Sequence, residues 1–150
     1  MKLGVLILAA GQGTRMKSAM PKVLHKIAGK PMLAHVIETA QQLDPDAVVV
    51  VYGHGGDLVK QQLDSYDVAW ALQEQQLGTG HAVMQGMAAL QGVDKVLVLY
   101  GDVPLIHADT LRQLIEASTE TSIGMLTVVV NEPHGYGRIV RDEYDLSLIH

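Results

Sequence analysis

A glycine-containing turn near the N terminus, followed by two cations, has the residue types of an anion-binding site. The apolar residues 3–10 lead into Gly11-Gln12-Gly13, and Arg15 and Lys22 come shortly afterwards. Glycine has no Cβ and accepts positive φ, so backbone N–H groups in such a turn can approach a phosphate closely. Arg15 and Lys22 add positive charge beside the same anion. The arrangement suits a triphosphate better than a neutral ligand.

Two better-known glycine loops do not fit this turn. The dinucleotide fingerprint requires a third glycine where the chain has Met16, and an acidic residue at the end of the second strand, where it has Tyr52-Gly53. The Walker phosphate loop requires a Gly-Lys-Ser/Thr ending, which is absent. An ordinary strand-to-helix turn is the alternative. The Pro21-Lys22 pair that follows favours phosphate chemistry.

A carboxylate, Asp102, follows a later apolar run and stands between Gly101 and Pro104. A rigidly placed carboxylate suits Mg²⁺, which commonly takes one or two carboxylates together with substrate phosphates. The alternative is an aspartate that caps a turn or a helix, which is the commoner role of this residue type. We favour the metal because the strand ends predicted below place Asp102 opposite Arg15 and Lys22.

A glutamine-rich stretch, with Gln73 and Gln76, precedes Gly78 and Thr79. A side-chain amide offers both a donor and an acceptor, as the edge of a uracil ring requires. The alternative is a polar loop in which Thr79 caps the next helix, and this stretch alone favours that alternative.

Two further groups of residues predict less. The turn Gly135-Tyr136-Gly137-Arg138 is typical either of a simple hairpin or of a turn that faces a ligand. The histidines are scattered and do not form a metal-binding set. We therefore expect no histidine metal site.

Apolar runs alternate with segments of helical periodicity, which is typical of an α/β protein. Pro31 suits the first position of a helix. The predicted strands are 3–10, 47–52, 68–72, 95–100 and 123–130, with a sixth at 138–140. The first predicted helix begins at Pro31, and the other three cover 58–63, 78–90 and 108–117.

Strands that are apolar on both faces indicate a sheet that is covered by helices on both sides. Right-handed crossovers then give a Rossmann-like, doubly wound, mostly parallel α/β fold. Such folds bind ligands at the carboxyl ends of their strands. The glycine turn, the glutamine stretch and Asp102 each follow a predicted strand, so we expect them to meet at one edge of the sheet.

Composition excludes several classes of function. A net charge of −5 leaves no basic surface for a nucleic acid, although a small phosphorylated ligand needs only local cations. The chain has no cysteine, which excludes disulfides, thiolate metal sites and a cysteine nucleophile. The short apolar start predicts a buried strand rather than a signal peptide or a membrane span. We therefore expect a cytoplasmic protein without membrane contact.

Taken in order, the motifs closely resemble the bacterial N-acetylglucosamine-1-phosphate uridyltransferases, from about residue 3 to about residue 142. The first motif recurs in other sugar-nucleotide and cytidylyl transferases, and the ordered set is specific. The motifs are Leu8-Ala9-Ala10-Gly11-Gln12-Gly13-Thr14-Arg15-Met16, Pro21-Lys22-Val23-Leu24, Gln73-Glu74-Gln75-Gln76-Leu77-Gly78-Thr79-Gly80-His81-Ala82, Tyr100-Gly101-Asp102-Val103-Pro104-Leu105 and Gly135-Tyr136-Gly137-Arg138-Ile139.

The resemblance implies a Mg²⁺-dependent nucleotidyltransferase that acts on UTP and N-acetylglucosamine 1-phosphate. Its products are UDP-N-acetylglucosamine, a precursor for peptidoglycan and cell-wall synthesis, and pyrophosphate. In this family an oxygen of the sugar phosphate attacks the α-phosphorus of UTP in line. No covalent enzyme intermediate forms, so the absence of a cysteine nucleophile has no consequence.

The resemblance also implies roles for individual residues. Arg15 and Lys22 stabilise charge on the phosphates as the catalytic residues, and Asp102 holds Mg²⁺. Residues 8–11 line the uridine site. The two glutamines, with Gly78 and Thr79, contact uracil or nearby groups. The residues implied to bind substrate are Leu8, Ala9, Ala10, Gly11, Lys22, Gln73, Gln76, Gly78, Thr79, Tyr100, Gly101, Asp102 and Gly137.

The last residues depart from the family pattern. We expect residues 1–142 to form the N-terminal part of a nucleotidyltransferase domain, and 143–150 to form an atypical tail. In the family, later residues supply a glutamate and an asparagine that hold the sugar and an asparagine that completes the metal site. We therefore expect nucleotide binding with weak or absent turnover, and an exposed sheet edge that a second copy of the chain covers.

Two other hypotheses stay open. One is a cytidylyltransferase or another sugar-nucleotide transferase, which the stretch 73–82 disfavours. The other is a non-catalytic protein that binds nucleotide or associates with itself, which the atypical tail motivates. Preference for UTP over CTP and release of pyrophosphate distinguish these two hypotheses from the uridylyltransferase hypothesis.

Overall fold

The structure, a computed structural model, describes residues 1–11, 20–53, 56–132, 134–137, 139–141 and 147–149. Its strands are β1 (Leu3–Ala9), β2 (Lys26–Ile27), β3 (Lys30–Pro31), β4 (Ala47–Gly53), β5 (Ala69–Gln73), β6 (Lys95–Tyr100), β7 (Ile139–Arg141) and β8 (Ser147–Ile149). Its helices are α1 (Met32–Gln41), α2 (Asp57–Gln62), α3 (Thr79–Met87), α4 (Ala108–Ala117) and a 3-10 helix over Lys22–Leu24.

Four parallel strands form the central sheet, in the order β5-β4-β1-β6. Strand β1 pairs with β4 on one side and β6 on the other, so Leu6 lies opposite both Val49 and Val98. The chain proceeds outward from β1 through β4 to β5 and then returns to the other side of β1 to form β6. Doubly wound folds bind ligands at such a change of direction, beyond the carboxyl ends of the strands. The predicted α/β fold is confirmed.

Apolar side chains fill the space on both faces of this sheet. On one face, Ile7 belongs to a buried cluster with Leu33 of α1 and Leu111 of α4. On the other face, Leu6 belongs to a cluster with Ala82 of α3. Burial on both sides explains why the central strands are continuous apolar runs. Among the residues described, none of these helices is long and apolar enough to cross a membrane.

Most predicted elements agree closely with the structure, and one is wrong. Strand β6 and helix α4 have the predicted bounds, and the helix expected from Pro31 begins at Met32. The strand predicted at 123–130 is wrong because this segment has no regular secondary structure. Ile123 and Val129 are 93% and 99% exposed. Strand propensity alone does not form a strand without a neighbour that pairs with its backbone.

The strand predicted at 138–140 belongs to a separate hairpin. It is found at Ile139–Arg141, where it pairs antiparallel with Ser147–Ile149, and residue 138 lies outside the described part. This hairpin spans the boundary expected between residues 142 and 143. The division of the chain into 1–142 and 143–150 stays a prediction. The 3-10 helix Lys22–Leu24 and the β2–β3 pair were not predicted, because such short elements carry no periodic signal.

A polar network ties the β2–β3 hairpin to α1. The two carboxylate oxygens of Glu38 accept hydrogen bonds from Lys30 Nζ at 2.8 and 2.7 Å, and Tyr66 Oη donates to Glu38 Oε1 at 2.8 Å. His35 Nε2 lies 2.8 Å from the carbonyl oxygen of Ile27. The hydrogen bond from Lys30, followed by that from Tyr66, lowers the pKa of Glu38, while Glu38 raises the pKa of Tyr66.

Glu38→Gln is expected to lower the free energy of unfolding at neutral pH by at most about 1 kcal/mol, because the Lys30–Glu38 pair is partly exposed. The folded pKa of Glu38 lies below its ordinary value of 4.5. Its carboxylate therefore stabilises the fold above that pH, and the contribution is lost as the pH falls through the lowered folded value. Urea unfolding of both proteins at neutral pH and near pH ~3.5 checks this. A difference that does not shrink in acid contradicts the prediction.

Gly86 allows α3 to lie close to the sheet, because a Cβ there would overlap the Leu6 side chain and lie 2.8 Å from Val51. Gly86→Ala should therefore destabilise the protein by about 1–3 kcal/mol through overpacking, although alanine gains about 1 kcal/mol in helix propensity. Gly80→Ala in the same helix is the control, because a Cβ there would meet no atom within 4 Å. Urea unfolding should separate the two variants, and equal midpoints would show that the close approach is not limiting.

Candidate functional site

A cavity of about 510 Å³ opens at the carboxyl ends of β1, β5 and β6. It lies beside the change of direction in strand order, and its volume is typical of small-molecule sites, which measure roughly 300–1,000 Å³. The residues that line it are Leu8, Ala9, Ala10, Gly11, Lys22, Val23, Gln73, Gln76, Gly78, Thr79, Ala82, Tyr100 and Asp102.

The end of β1 forms one wall and is bonded directly to the glutamine stretch. The carbonyl oxygen of Ala10 accepts a 2.6 Å hydrogen bond from Gln76 Nε2. Gly53, at the end of the neighbouring strand β4, makes room for this contact. A Cβ at Gly53 would lie 2.8 Å from both the Ala10 oxygen and Gln76 Nε2. The space at Gly53 therefore permits the bond between two predicted parts of the site.

Asp102 is placed by the turn that ends β6. The Gly101 N–H donates to the Leu8 carbonyl at 2.9 Å, which continues the β1–β6 pairing to the edge of the cavity. A Cβ at Gly101 would lie 3.2 Å from both that carbonyl oxygen and Leu33 Cδ1. Glycine therefore lets the turn approach β1 closely, and Asp102 follows at a defined position.

Lys22 and Asp102, which are 80 positions apart in sequence, form an ion pair at the cavity. Lys22 Nζ lies 2.7 Å from Asp102 Oδ2, and the side chains are 40% and 34% exposed. Such a pair contributes little to stability because water screens it. A lysine ammonium beside a carboxylate offers one partner for a phosphate and one for a cation. The pair therefore has the chemistry to bind a metal-associated phosphate.

Gln73 is buried, with 3% of its surface exposed, although it is polar and lines the cavity. Its Nε2 donates to the Gly78 carbonyl at 3.2 Å and lies 3.0 Å from His81 Nδ1. Gly78 has a φ of +100°, which favours glycine, and it immediately precedes α3. The side chain of Gln73 thus braces the loop that leads into α3.

Most of the predicted site residues line this one cavity. The exceptions are Gly101, which packs behind the wall, Gly137, which is exposed and not part of the lining, and Arg15, which lies outside the described residues. Val23 and Ala82 line the cavity but were not predicted. Both are apolar residues without chemical signal, and only their adjacency to predicted residues could have indicated them. The roles of all these residues stay predictions.

A divalent cation fits the cavity at Asp102. Within the described ranges, no group of three or more histidine, cysteine or acidic side chains could hold a metal by itself. Mg²⁺ nevertheless needs only one or two protein carboxylates when phosphate oxygens and waters complete its shell. The partly exposed carboxylate of Asp102 satisfies this requirement.

Solved structures of nucleotidyl transferases share this fold. A Methanothermobacter nucleotidyl transferase has a TM-score of 0.70 and 23% identity, and the alignment covers 77% of this chain and 57% of that one. The 4-diphosphocytidyl-2C-methyl-D-erythritol synthase of Anaerococcus prevotii has a TM-score of 0.62 and 16% identity, with 99% and 63% covered. At these identities the likeness shows the fold alone.

Relatives of much higher identity confirm the resemblance seen in the motifs. The chain is 58% identical over 143 residues to the bifunctional protein GlmU of Idiomarina loihiensis, and 56% identical over 143 residues to that of Pseudomonas putida. Each alignment covers 95% of this chain and 31% of the relative. The chain therefore spans about a third of the length of these relatives.

A family comparison covers nearly the whole chain. The MobA-like NTP transferase domain matches residues 5–143. This range contains strands β4, β5 and β6, all but the first two residues of β1, and every residue that lines the cavity. The chain belongs to the MobA-like NTP transferase domain family.

Proposed function

We propose that this chain carries the nucleotide-binding part of a uridylyltransferase site, which transfers UMP from UTP to N-acetylglucosamine 1-phosphate. The products would be UDP-N-acetylglucosamine, for cell-wall synthesis, and pyrophosphate. The observation that carries the proposal is the Lys22–Asp102 pair, which faces the same cavity as the glutamine stretch. The identity to the GlmU proteins supports the choice of substrates.

The phosphates of the nucleotide would bind at Lys22. Its ammonium is held 2.7 Å from Asp102, and phosphate oxygens would replace that carboxylate as its partner. Arg15, in the glycine turn of the sequence, would add a second cation. Asp102, once separated from Lys22, would hold the divalent cation, with Mg²⁺ as the ion we propose. Bound there, the cation would neutralise charge on the transferred and leaving phosphates.

The nucleoside would bind along the end of β1 and the glutamine stretch. Residues 8–11 would line the uridine, and Gln73 and Gln76 would meet the edge of the base. Gly78 and Thr79 are also part of the lining, and they would contact the base or the ribose. Val23 and Ala82 add apolar surface to the same cavity. Tyr100, Gly101 and Gly137 would help to place the nucleotide and the sugar.

The reaction requires little covalent chemistry from the protein. An oxygen of the sugar phosphate forms a bond to the α-phosphorus of UTP as the bond from that phosphorus to the pyrophosphate oxygen breaks. Lys22 would stabilise the charge that moves to the leaving group, and positioning would supply most of the remaining acceleration. The chain contains no cysteine, and the in-line reaction needs no nucleophilic side chain.

Three associated features belong to the same proposal. We place the protein in the cytoplasm, where nucleotides and sugar phosphates are available. We also propose that a second copy of the chain covers the outer side of β6, which is an edge strand of the four-stranded sheet among the residues that the structure describes. Neither a nucleic acid nor a membrane is proposed as a partner, since the net charge is −5.

Lys22→Ala should weaken the binding of UTP with Mg²⁺ by about tenfold or more, since a charged hydrogen bond to a phosphate contributes about 1.5–3 kcal/mol. Isothermal titration calorimetry measures this. Lys26→Ala is the matched control, because Lys26 lies four positions away on β2 and does not line the cavity. Absence of UTP binding by the wild type, or equal affinities of Lys22→Ala and wild type, would refute the proposal.

Asp102→Asn should remove most of the enhancement of UTP binding by Mg²⁺, because an amide is a much poorer ligand for this ion than a carboxylate. Titrations of UTP with and without Mg²⁺ give the ratio of affinities for each protein. Asp109→Asn, on the exposed first turn of α4, is the control and should keep the wild-type ratio. Pyrophosphate release from UTP and N-acetylglucosamine 1-phosphate, measured in parallel, tests the expectation that turnover by this chain is weak or absent. A wild-type ratio in Asp102→Asn would exclude Asp102 as the metal ligand.

A further inference from the structure

The side-chain amide of Gln73 has a single orientation, and its surroundings explain why. The carbonyl oxygen of Gly78 can only accept a hydrogen bond, so the amide atom that lies 3.2 Å from it must be the nitrogen of Gln73. This assignment does not depend on the histidine nearby. Gln73 Nε2 is therefore directed toward the start of α3.

The oxygen of Gln73 is left to face the cavity. The amide nitrogen of Gln73 has two neighbours, the Gly78 carbonyl oxygen and His81 Nδ1, so the amide oxygen points away from both. The side chain lines the cavity. Among the described residues, the buried side-chain polar atom without a partner is Nε2 of His25, so Gln73 Oε1 is not sealed in the interior. The cavity thus meets a hydrogen-bond acceptor at this point.

His81 is the second group that holds this orientation. Its Nδ1 lies 3.0 Å from the same amide nitrogen, and an N–H of Gln73 can donate there only if Nδ1 carries no hydrogen. The ring proton then belongs to Nε2, which lies 3.3 Å from the amide nitrogen of Gln85 on the outer side. Because two donors cannot bond to each other, the exposed Gln85 amide turns its oxygen toward this N–H. His81 is part of the first turn of α3, so its ring is held in place by the helix.

We propose that His81 is a positioning residue for nucleobase selection, because it locks the Gln73 amide with Oε1 toward the base. An acceptor at this point favours a base that presents a ring N–H, as N3–H of uracil does. It disfavours cytosine, whose unprotonated N3 would place two acceptors against each other. This inference rests on the proposed function, and it assigns the UTP preference to a residue outside the cavity lining.

The free protein gives the first test, without any nucleotide. Nitrogen-15 NMR of the imidazole reports which ring nitrogen of His81 carries the proton. At neutral pH we expect Nδ1 of His81 to be unprotonated and the Gln73 amide hydrogens to be protected from exchange with solvent. A proton on Nδ1 would overturn the positioning role whether or not UTP binds.

Calorimetric titration with UTP and with CTP, both with Mg²⁺, gives the second test. Wild type should prefer UTP by at least about tenfold, since one mismatched buried hydrogen bond has about this effect. In His81→Leu, which removes the acceptor for Gln73, the preference should fall at least about threefold. His81→Asn retains an acceptor oxygen near the Nδ1 position and should keep most of the preference, and Gln85→Ala should keep all of it.

The outcomes separate this inference from the function on which it rests. Failure of the wild type to bind UTP refutes the proposed function and the inference together. UTP binding with an unchanged UTP-to-CTP ratio in His81→Leu refutes the inference alone. An equal loss of affinity for both nucleotides in His81→Leu, with the ratio unchanged, would also refute it, because it would mean that His81 only supports the fold.

Discussion

Parallel pairing on both sides of β1 is the constraint on which the site depends. Because β4 and β6 both run parallel to β1, the carboxyl ends of all three strands lie at one edge of the sheet. The Gly101 N–H to Leu8 carbonyl hydrogen bond carries this pairing one step beyond β6. Asp102 therefore lines the same cavity as Gly11, although the two residues are 91 positions apart in sequence. The buried apolar clusters on both faces keep the strands in this register.

Small residues and backbone contacts make the meeting of these strand ends possible. Gly53 leaves room for Gln76 to reach the Ala10 carbonyl, and Gly101 lets its turn approach β1. Gly86, which does not line the cavity, also permits a close approach, since it allows α3 to pack closely against the sheet. Gly78 differs from these three, because glycine is favoured there by the backbone φ of +100° and not by a close neighbour. The cavity thus depends on close backbone approach as much as on its polar side chains.

Lys22, Asp102 and the amide nitrogen of Gln73 have partners before any ligand arrives. Lys22 and Asp102 neutralise each other while remaining accessible, so the proposed exchange of partners with a phosphate and a cation would cost little desolvation. Gln73 is the opposite case, because it is buried and bonded to Gly78 and to His81. A partly exposed ion pair can separate when a ligand binds, whereas a buried amide keeps its orientation. In the proposed function, the phosphate end of the site would therefore be adaptable and the base end rigid.

The amino-acid sequence by itself determined the central strands, the helices and most residues of the site. The bounds of β6 and α4 were predicted correctly because their apolar pattern is local and strongly periodic. The motifs also indicated the lining residues from Leu8 to Asp102, because strand ends in a doubly wound fold meet at one edge. Arg15 and Gly137 are implied by the same motifs, and their roles stay predictions.

Tertiary structure decided the features that depend on contacts between residues distant in the sequence. The segment 123–130 has strand propensity but no regular structure, because a strand exists only when a neighbour pairs with its backbone. The pairing of Lys22 with Asp102 and the direction of the Gln73 amide arise from contacts that only the folded chain creates. Residue types and spacing could thus identify which groups the site contains, while the packing of the strand ends decided which atoms face the ligand.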